Sequence, residues 1–558
     1  MKLGIVTQND SKRKPATTTG QRGLEEVEEE VEMCLGPQEA LAQTDEVNHL
    51  LKTVRGELMQ VHPEVIVNLG TPLPPPSSLP CSPAAASFRP SSSVRFVVVM
   101  SDPAFPNWAI LEPFVFRRDD SSSFPDKTKA PIRASATTSW GASFRIAFVF
   151  ADPPRVSRLY AQLPGFPDPK KQTPLAILGT HRHLALLRVG MQTPARDIIQ
   201  DFFVYSAHDP SELRLLPPCT APHTDDSLRP IPLEEEEEEE GAPAQRRLLG
   251  VTSMGLVSRG EGEQDFAVVE LKLSNLTRTE VCADICLFRS SPDLLPSARV
   301  LPGGEIGGQW DSMRVPIVRS SDPDDTWQLC LWQTDAVVPV GRWLCWIDYR
   351  RGILFCDVFG RGPTPTVSFL RFPLDEFPST HNRSNACSWV YRVVTPIDGG
   401  QALKFVDVAR NDHVVYGALQ KFGAFTVTCH TLQLGSVAVL NKSTLSSLVW
   451  RKDSTTTSDE LWSANPPERL PRGILMFPLV NIDRPQVVHF LFSDFKHVLK
   501  KICVVAIDMS TNNVESCYKY VNGKEDTGTV DADLTKERST CPRPFLPCEF
   551  SKYLNMSR

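Results

Sequence analysis

The sequence predicts an all-β protein with mainly antiparallel strands, and three observations support this prediction. Residues 343–359, WLCWIDYRRGILFCDVF, form two runs that alternate with a period of two around a short polar segment, as expected for a β-hairpin. Similar hairpin patterns occur at residues 266–290 and 500–521. Forty-eight prolines lie between short apolar runs, which favours strands joined by turns over long helices.

The hairpin pattern at residues 343–359 also predicts which side chains share a face. Leu344 and Trp346 fall on one side of the first strand, and the opposite side carries the remaining large residues, Trp343, Cys345, Ile347 and Tyr349. The polar triplet that ends at Gly352 then interrupts the alternation. Glycine suits such a turn because it reaches positive φ without a Cβ clash. We therefore expect a well-packed hairpin here.

Residues 1–93 differ in composition from the rest of the chain. Apolar residues recur at helical spacing within residues 24–35 and 47–58, and residues 71–93 are rich in proline, serine and alanine. Isolated helices of this length are marginal in water, and proline- and serine-rich segments are typical of linkers. We predict a loosely ordered, partly helical extension that ends in a linker.

The remaining sequence is predicted to contain two β regions separated by an acidic insertion. Residues 94–233 form the first region, with strand-like runs such as VRFVVVM at 94–100 and FRIAFVFA at 144–151. Residues 234–247 begin with seven consecutive glutamates, whose mutual repulsion favours a disordered linker, although the same charge would suit a basic partner. Residues 248–558 form the second region.

Successive antiparallel hairpins favour a β-propeller-like body, in which small twisted sheets pack face to face around a central axis. In the hairpins at 343–359 and 500–521, Asp348 and Asp508 occupy corresponding positions before the turn. The chain from residue 94 to 558 has room for about six to eight blades of roughly 40 to 50 residues. Two packed β-sandwich-like domains are the structural alternative.

Several long segments resemble the family defined by domain of unknown function 1618 (DUF1618). They are residues 343–359, TPTVSFLRFPLDEFP at 364–378 and LPRGILMFPLVNIDRPQVVHFLFSD at 470–494. Segments nearer the amino terminus, such as LEPFVFRRDD, resemble the N-terminal part of the same proteins. The resemblance covers residues 94–558, with its core at about 343–494. It implies an intracellular protein of grass plants, but no catalytic or binding residues, because the family's biochemical activity is not established.

Charge and cysteine usage bear on partners and compartment. The formal net charge is −7, which the seven glutamates at 234–240 account for. The body therefore lacks the basic surface expected of a nucleic-acid-binding protein. Fourteen cysteines occur without a CxxC pair, mostly inside apolar runs, where a reduced cysteine packs as a small hydrophobic residue. A reducing compartment is expected.

Targeting and membrane signals are not apparent in the sequence. The first residues, MKLGIVTQND, carry neither a long apolar core nor a cleavage pattern. No apolar run approaches the roughly 18 residues that a membrane helix needs. Acidic residues within 23–32 disfavour plastid import. We expect a cytoplasmic or nuclear protein with no membrane or nucleic-acid partner.

No catalytic, cofactor-binding or metal-binding residue is predicted. The motifs GxSxG, GxxxxGK[ST] and HExxH are absent. His181 and His183 would share a strand face, but a third ligand is missing, so surface or loop histidines are predicted. Cys282 and Cys286 do not match zinc-finger spacing. The glycines within residues 303–308 do not lead from a strand into a helix and are predicted to be a flexible insertion.

Asp348, Arg350 and Arg351 form a polar group at the hairpin turn. We expect them to face water, with Asp348 accepting turn hydrogen bonds and the arginines keeping the turn soluble. A recognition patch is the functional alternative. The predicted function is a non-enzymatic scaffold that presents loops from a rigid β body to a protein partner, with no cofactor. The alternative is a propeller-type hydrolase or lyase whose acids and histidines come from distant parts of the chain.

Overall fold

The computed structural model describes residues 105–556 apart from several gaps, the longest of which are 166–174, 222–245, 291–308, 375–387 and 522–542. The described residues belong to one compact unit, Phe105–Arg558. The predicted extension at 1–93, the strand-like run at 94–100, the glutamates at 234–240 and the glycines at 303–308 all lie outside the described residues.

The described strands form sheets of nine, eight, four and four strands, and in chain order they fall into six consecutive groups of four, here called blades 1 to 6. Blade 1 contains β1 (Ala109–Arg117), β2 (Ile132–Thr137), β3 (Ser143–Val149) and β4 (Val156–Gln162). Blade 2 contains β5 (Leu175–His181), β6 (Leu184–Gln192), β7 (Ile198–Ser206) and β8 (Asp209–Leu215). Blade 3 contains β9 (Met254–Ser258), β10 (Phe266–Asn275), β11 (Val281–Arg289) and β12 (Trp310–Val318).

The second half of the chain continues the same pattern. Blade 4 contains β13 (Ala336–Val340), β14 (Trp343–Asp348), β15 (Gly352–Cys356) and β16 (Val367–Arg371). Blade 5 contains β17 (Arg392–Ile397), β18 (Ala402–Arg410), β19 (Phe425–Gln433) and β20 (Trp450–Thr457). Blade 6 contains β21 (Met476–Val480), β22 (Val487–Phe495), β23 (Leu499–Asp508) and β24 (Asn513–Val521), and β25 (Leu546–Cys548) follows it.

Strand order is sequential and antiparallel within blades 2 to 6. In blade 1 the order is β1, β4, β3, β2, with β1 parallel to β4 and β25 antiparallel on the free edge of β1. Two parallel pairings, β2 with β8 and β12 with β16, join blade 1 to blade 2 and blade 3 to blade 4. β25 thus adds a fifth strand to blade 1.

The first strands of successive blades contact one another, from β1 through β5, β9, β13 and β17 to β21. Side chains then connect blade 6 to blade 1. Tyr520 donates its hydroxyl to Glu112 Oε2 at 3.0 Å, and the rings of Trp108 and His489 meet edge-on with centroids 5.6 Å apart. The all-β prediction is confirmed, and six blades in succession give the propeller-like body rather than two sandwiches.

The hydrophobic core lies between the blades, and β14 shows how the sequence achieves this. Leu344 and Trp346 pack into a cluster with blade 3, whereas Trp343, Cys345 and the rest of the opposite face pack into a cluster with blade 5. The predicted division of faces is confirmed. Trp346 also donates its indole N–H to the carbonyl oxygen of Ser253 at 2.7 Å, which connects blade 4 to the segment before β9.

The predicted hairpin of β14 and β15 is confirmed, but the expected reason for Gly352 is wrong. Gly352 is the first residue of β15 and does not have a positive φ. A Cβ at this position would lie 2.2 Å from the carbonyl oxygen of Leu370. Glycine is required because the backbone of β16 approaches so closely.

The other two predicted hairpins are confirmed as β10 with β11 and β23 with β24. Asp348 and Asp508 play the same role in their turns, since each accepts a hydrogen bond from the backbone N–H two residues later, that of Arg350 at 2.9 Å and that of Ser510 at 2.8 Å. Their blade positions differ, because β14 is a second strand and β23 is a third strand.

Helices are short throughout the described residues. They are α1 (Asp324–Cys330), α2 (Ser388–Tyr391), α3 (Lys442–Ser447), α4 (Ser458–Ala464) and α5 (Phe550–Met556). None of these described helices combines the length and the apolar character that a membrane span needs.

Candidate functional site

The connection between β18 and β19, residues 411–424, is built around a buried ion pair. We call it the 411–424 loop; residues 413, 415 and 416 lie outside the described part of the chain. Arg410, the last residue of β18, donates to both carboxylate oxygens of Asp412, from Nε at 2.9 Å and from Nη2 at 2.7 Å. The two side chains are only 5% and 3% exposed. Such bidentate pairs fix geometry as well as contribute energy.

The same ion pair binds the backbone of the loop. Arg410 Nη1 donates to the carbonyl oxygen of Gly417 at 2.9 Å and to the hydroxyl of Tyr391 at 2.6 Å, while Asp412 accepts from the backbone N–H of Gln420 at 3.0 Å. Burial alone would raise the pKa of Asp412, but the hydrogen bonds from Arg410 and Gln420 outweigh it and lower the pKa. Asp412 is therefore ionised at neutral pH, and the charged pair holds the described backbone at Gly417 and Gln420 in place.

The loop presents Phe422 to solvent. This side chain is 92% exposed, and its φ of 68° lies in the left-handed region, which costs a residue other than glycine about 1–2 kcal/mol. The adjacent Gly423 donates its N–H to the carbonyl oxygen of Gln420 at 2.9 Å, and Lys421 Nζ lies 5.2 Å from the ring centroid. An aromatic residue in this position contributes little to packing of its own fold, whereas aromatic anchors often dominate the energy of interfaces.

A polar cleft of about 550 Å³ lies near the other end of the same strands. Its lining comes from the end of β17 and the turn after it, from β18, β19 and β20, and from the turn before β22. Lys404 Nζ lies 3.0 Å from Asp453 Oδ2, and Thr431 donates its hydroxyl to the same oxygen. Arg451 Nη2 lies 3.2 Å from the other carboxylate oxygen. Asp453 thus has partners for both of its oxygens.

The chemistry of this cleft favours binding over proton transfer. Burial acts to raise the pKa of Asp453, but the hydrogen bonds from Thr431 and Lys404 outweigh it, and the pKa lies below its ordinary value. A carboxylate in this state is a poor proton donor at neutral pH. The described lining contains two carboxylates, of Asp398 and Asp453, and no histidine.

The structure places His181 and His183 differently from the prediction. His181 ends β5, Arg182 takes a φ of 52°, and His183 lies in the turn before β6, so the two histidines are not alternate residues of one strand. His183 is 3% exposed and its ring stacks on His208 with centroids 4.1 Å apart. Burial lowers the pKa of His181 to about 3 and that of His183 to about 4. Among the described residues, no group of three or more candidate ligands is arranged to hold a metal.

The turn at Asp348 is buried, contrary to the prediction that it faces water. Asp348 is 1% exposed and Arg351 is 8% exposed, and Arg351 Nη1 donates to Asp348 Oδ2 at 2.7 Å. The segment before β13 packs against the turn: the backbone N–H of Asp335 donates a hydrogen bond to the carbonyl oxygen of Ile347 at 2.8 Å. The predicted acceptor role of Asp348 is confirmed, and this group stabilises the hairpin instead of forming an exposed patch.

Sequence reasoning did not identify the 411–424 loop. The available signal was a polar segment with Gly417 and Gly423 near an aromatic residue, which is common in loops of all kinds. The contacts that distinguish this loop depend on Arg410, whose side chain reaches across it.

Comparison with known proteins links this part of the molecule to a family. No curated protein matches the chain. Residues 346–489 match the model of a family described as "Protein of unknown function (DUF1618)", and this segment contains both the 411–424 loop and the polar cleft. The predicted resemblance to the DUF1618 family is therefore confirmed over residues 346–489.

Proposed function

We propose that this protein is a non-enzymatic interaction module of plant cells, located in the cytoplasm or nucleus, and that its 411–424 loop binds a protein partner. The observation that carries the proposal is the 92% exposure of Phe422 on a loop stabilised by the buried pair of Arg410 and Asp412. Loops fixed on a rigid β scaffold are frequent binding sites.

Preorganisation of the 411–424 loop would favour binding. A loop already fixed in one conformation loses little entropy on binding, and full burial of a phenylalanine side chain contributes about 1.5–3 kcal/mol. A partner that offers an apolar pocket would accept Phe422, and acidic residues at the pocket edge would complement Lys421, which lies beside the ring.

The charge distribution supports a protein partner over a nucleic acid. Several arginines of the β body are paired with carboxylates within the molecule, as in Arg314 with Asp284 at 2.6 Å and Arg392 with Asp407 at 2.7 Å. Paired arginines contribute little to the phosphate neutralisation on which nucleic-acid affinity depends.

The proposal is tested by pull-down from plant extract with the full-length chain and two variants. Phe422→Ala removes the proposed anchor, and Val449→Ala is the matched control, because Val449 is also exposed, at 73%, and adjoins another strand of blade 5. We expect a reproducible partner that the wild type and Val449→Ala retain and that Phe422→Ala binds about tenfold or more weakly, since 1.4 kcal/mol corresponds to a factor of ten. Affinities are then measured with the purified partner.

Circular dichroism of both variants should match that of the wild type, because neither side chain is buried. Absence of any reproducible partner for the folded wild type would contradict the interaction function. Equal affinity of the wild type and Phe422→Ala for a captured partner would contradict the role of the loop.

A further inference from the structure

Cys219 and Cys286 bring two thiols together across the junction of blades 2 and 3. Cys286 lies in β11, and Cys219 lies in the segment that follows β8. Their Sγ atoms are 3.4 Å apart, although the residues are 67 positions apart in sequence. Both are free thiols, with exposures of 6% for Cys219 and 0% for Cys286. Two sulfur atoms at this distance need only a small movement to form a bond.

Backbone and side-chain hydrogen bonds fix the segment that carries Cys219. The carbonyl oxygen of Cys219 accepts from the backbone N–H of Arg247 at 2.8 Å, and Trp310 of β12 donates its indole N–H to the carbonyl oxygen of Pro217 at 2.9 Å. Arg247 is in turn paired with the buried Glu270 at 3.0 Å. The approach of the two thiols is therefore a property of the junction and does not depend on a single contact.

The two thiols differ in reactivity. The hydrogen bond with Cys286 lowers the pKa of Cys219 against the opposing effect of burial. The backbone N–H of Ala221 and the charge of Arg247 also lower this pKa. The same hydrogen bond, together with burial, raises the pKa of Cys286. Because the thiolate is the nucleophilic form, Cys219 is the thiol suited to react first.

We propose that Cys219 and Cys286 form a peroxide-sensitive dithiol. The Cys219 thiolate attacks one oxygen of hydrogen peroxide, the O–O bond breaks, and hydroxide leaves and takes up a proton to become water, which gives a sulfenic acid on Cys219. Cys286 then loses its proton and attacks the Cys219 sulfur, and the sulfenic hydroxide leaves as a second water. In total, two thiols and one peroxide give one disulfide and two waters.

The disulfide would link the segment after blade 2 covalently to blade 3. Residues 234–240, the seven glutamates, lie in sequence between the two cysteines. Oxidation would therefore enclose the acidic insertion within a covalent loop. Reduction of the disulfide between Cys219 and Cys286 would open this covalent loop again.

The test uses the full-length protein, purified reduced and then exposed to hydrogen peroxide. Remaining thiols are alkylated, and the protein is digested and analysed by mass spectrometry. We expect a linked peptide that joins Cys219 to Cys286, lighter by two hydrogens than the separate peptides and abolished by dithiothreitol. Cys429, fully buried in blade 5, is the internal control and should remain a thiol.

Two variants test the order of reaction. In Cys286→Ala, dimedone should label Cys219 as a sulfenic acid, because the backbone N–H of Ala221 and the charge of Arg247 still lower its pKa. In Cys219→Ala, dimedone should leave Cys286 largely unlabelled, because burial still raises its pKa. Circular dichroism verifies that each variant is folded. The corresponding serine variants repeat the labelling test with a side chain close in size to cysteine.

Three results would overturn the proposal. The first is a folded, oxidised wild type without the linked peptide. The second is a disulfide formed only between Cys503 and Cys517, which interact on blade 6. The third is equal dimedone labelling of the two cysteines in the two variants, which would remove the asymmetry on which the mechanism depends.

Discussion

Carboxylates in this protein differ in what compensates their charge. Asp412 and Asp453 each have a cationic nitrogen within hydrogen-bonding distance, at 2.7 Å and 3.0 Å, and the pKa of each is lowered. Asp335 instead accepts the backbone N–H of Tyr349 at 2.8 Å. Burial and then the nearby charge of Asp348 raise the pKa of Asp335 to about 7. Asp335 is therefore partly protonated near neutral pH.

This difference predicts the effect of Asp335→Asn on the pH dependence of stability. A carboxyl group with a raised pKa binds its proton more tightly in the folded state, so its favourable contribution is present at low pH and is lost as pH rises from about 4, the unfolded value, to about 7. Asparagine keeps an acceptor for the Tyr349 N–H but does not ionise. We expect the variant to gain on the order of 1 kcal/mol relative to the wild type between pH 5 and pH 7.5, measured by urea unfolding.

Asp126→Asn is the control of opposite sign. Asp126 is exposed, and its pKa is lowered, first by the hydrogen bond from Thr128. A depressed pKa contributes stability that is lost as pH falls through the folded value. The raised pKa would be contradicted if the free energy of unfolding of Asp335→Asn changed with pH in the same way as that of the wild type between pH 5 and pH 7.5.

At the scale of elements, β14 and β15 show which features local sequence can specify. The two-residue alternation predicted both faces of β14 correctly, because each face packs against a different blade and both are apolar. The burial of Arg351 and the role of Gly352 were missed. Both depend on strands that approach from elsewhere in the chain, namely the segment before β13 and the backbone of β16. Local patterns carry no information about such approaches.

Gly352→Ala tests the close approach of β15 and β16. An alanine Cβ would lie 2.2 Å from the carbonyl oxygen of Leu370, which belongs to the backbone of β16 and cannot rotate away. We expect a loss of about 1–3 kcal/mol in the free energy of unfolding, the usual cost of overpacking. Gly179→Ala in β5 is the matched control, since nothing lies within 4 Å of a Cβ there. Urea unfolding measures both, and equal stability of the two variants would contradict the proposed contact.

The whole molecule depends on contacts between residues that are far apart in sequence. Tyr520 and Glu112, whose hydrogen bond connects blade 6 to blade 1, are 408 positions apart, and β25 pairs with β1. The alternation of apolar residues along the strands predicted the sheets and a range of blade numbers. It does not specify which blades contact each other. For the same reason, the sequence did not predict the cleft of blade 5 or the contact between Cys219 and Cys286. The residues of the cleft come from separate strands, and the two cysteines come from separate blades.

Phe550→Ala tests whether the C-terminal helix α5 is an integral part of the first two blades. Phe550 is fully buried, and its ring centroid lies 5.0 Å from that of Phe148 in β3 and 5.9 Å from that of Tyr205 in β7. Its removal leaves a cavity between these strands, which should cost about 3–5 kcal/mol. Lys552→Ala on the same helix, where the side chain is 34% exposed, should stay within about 0.5 kcal/mol of the wild type.

Hydrogen exchange followed by mass spectrometry locates the effect of Phe550→Ala. Because the lost contacts belong to β3 and β7, exchange should increase in Ser143–Val149 and Ile198–Ser206, while Ala402–Arg410 in blade 5 keeps its protection. The alternative is an increase confined to Phe550–Met556, which would make α5 an appendage. Increased exchange in β3 and β7 would instead mean that blades 1 and 2 reach full stability only when α5 has packed against them. The core that these blades share includes Phe550 and Leu554 of α5.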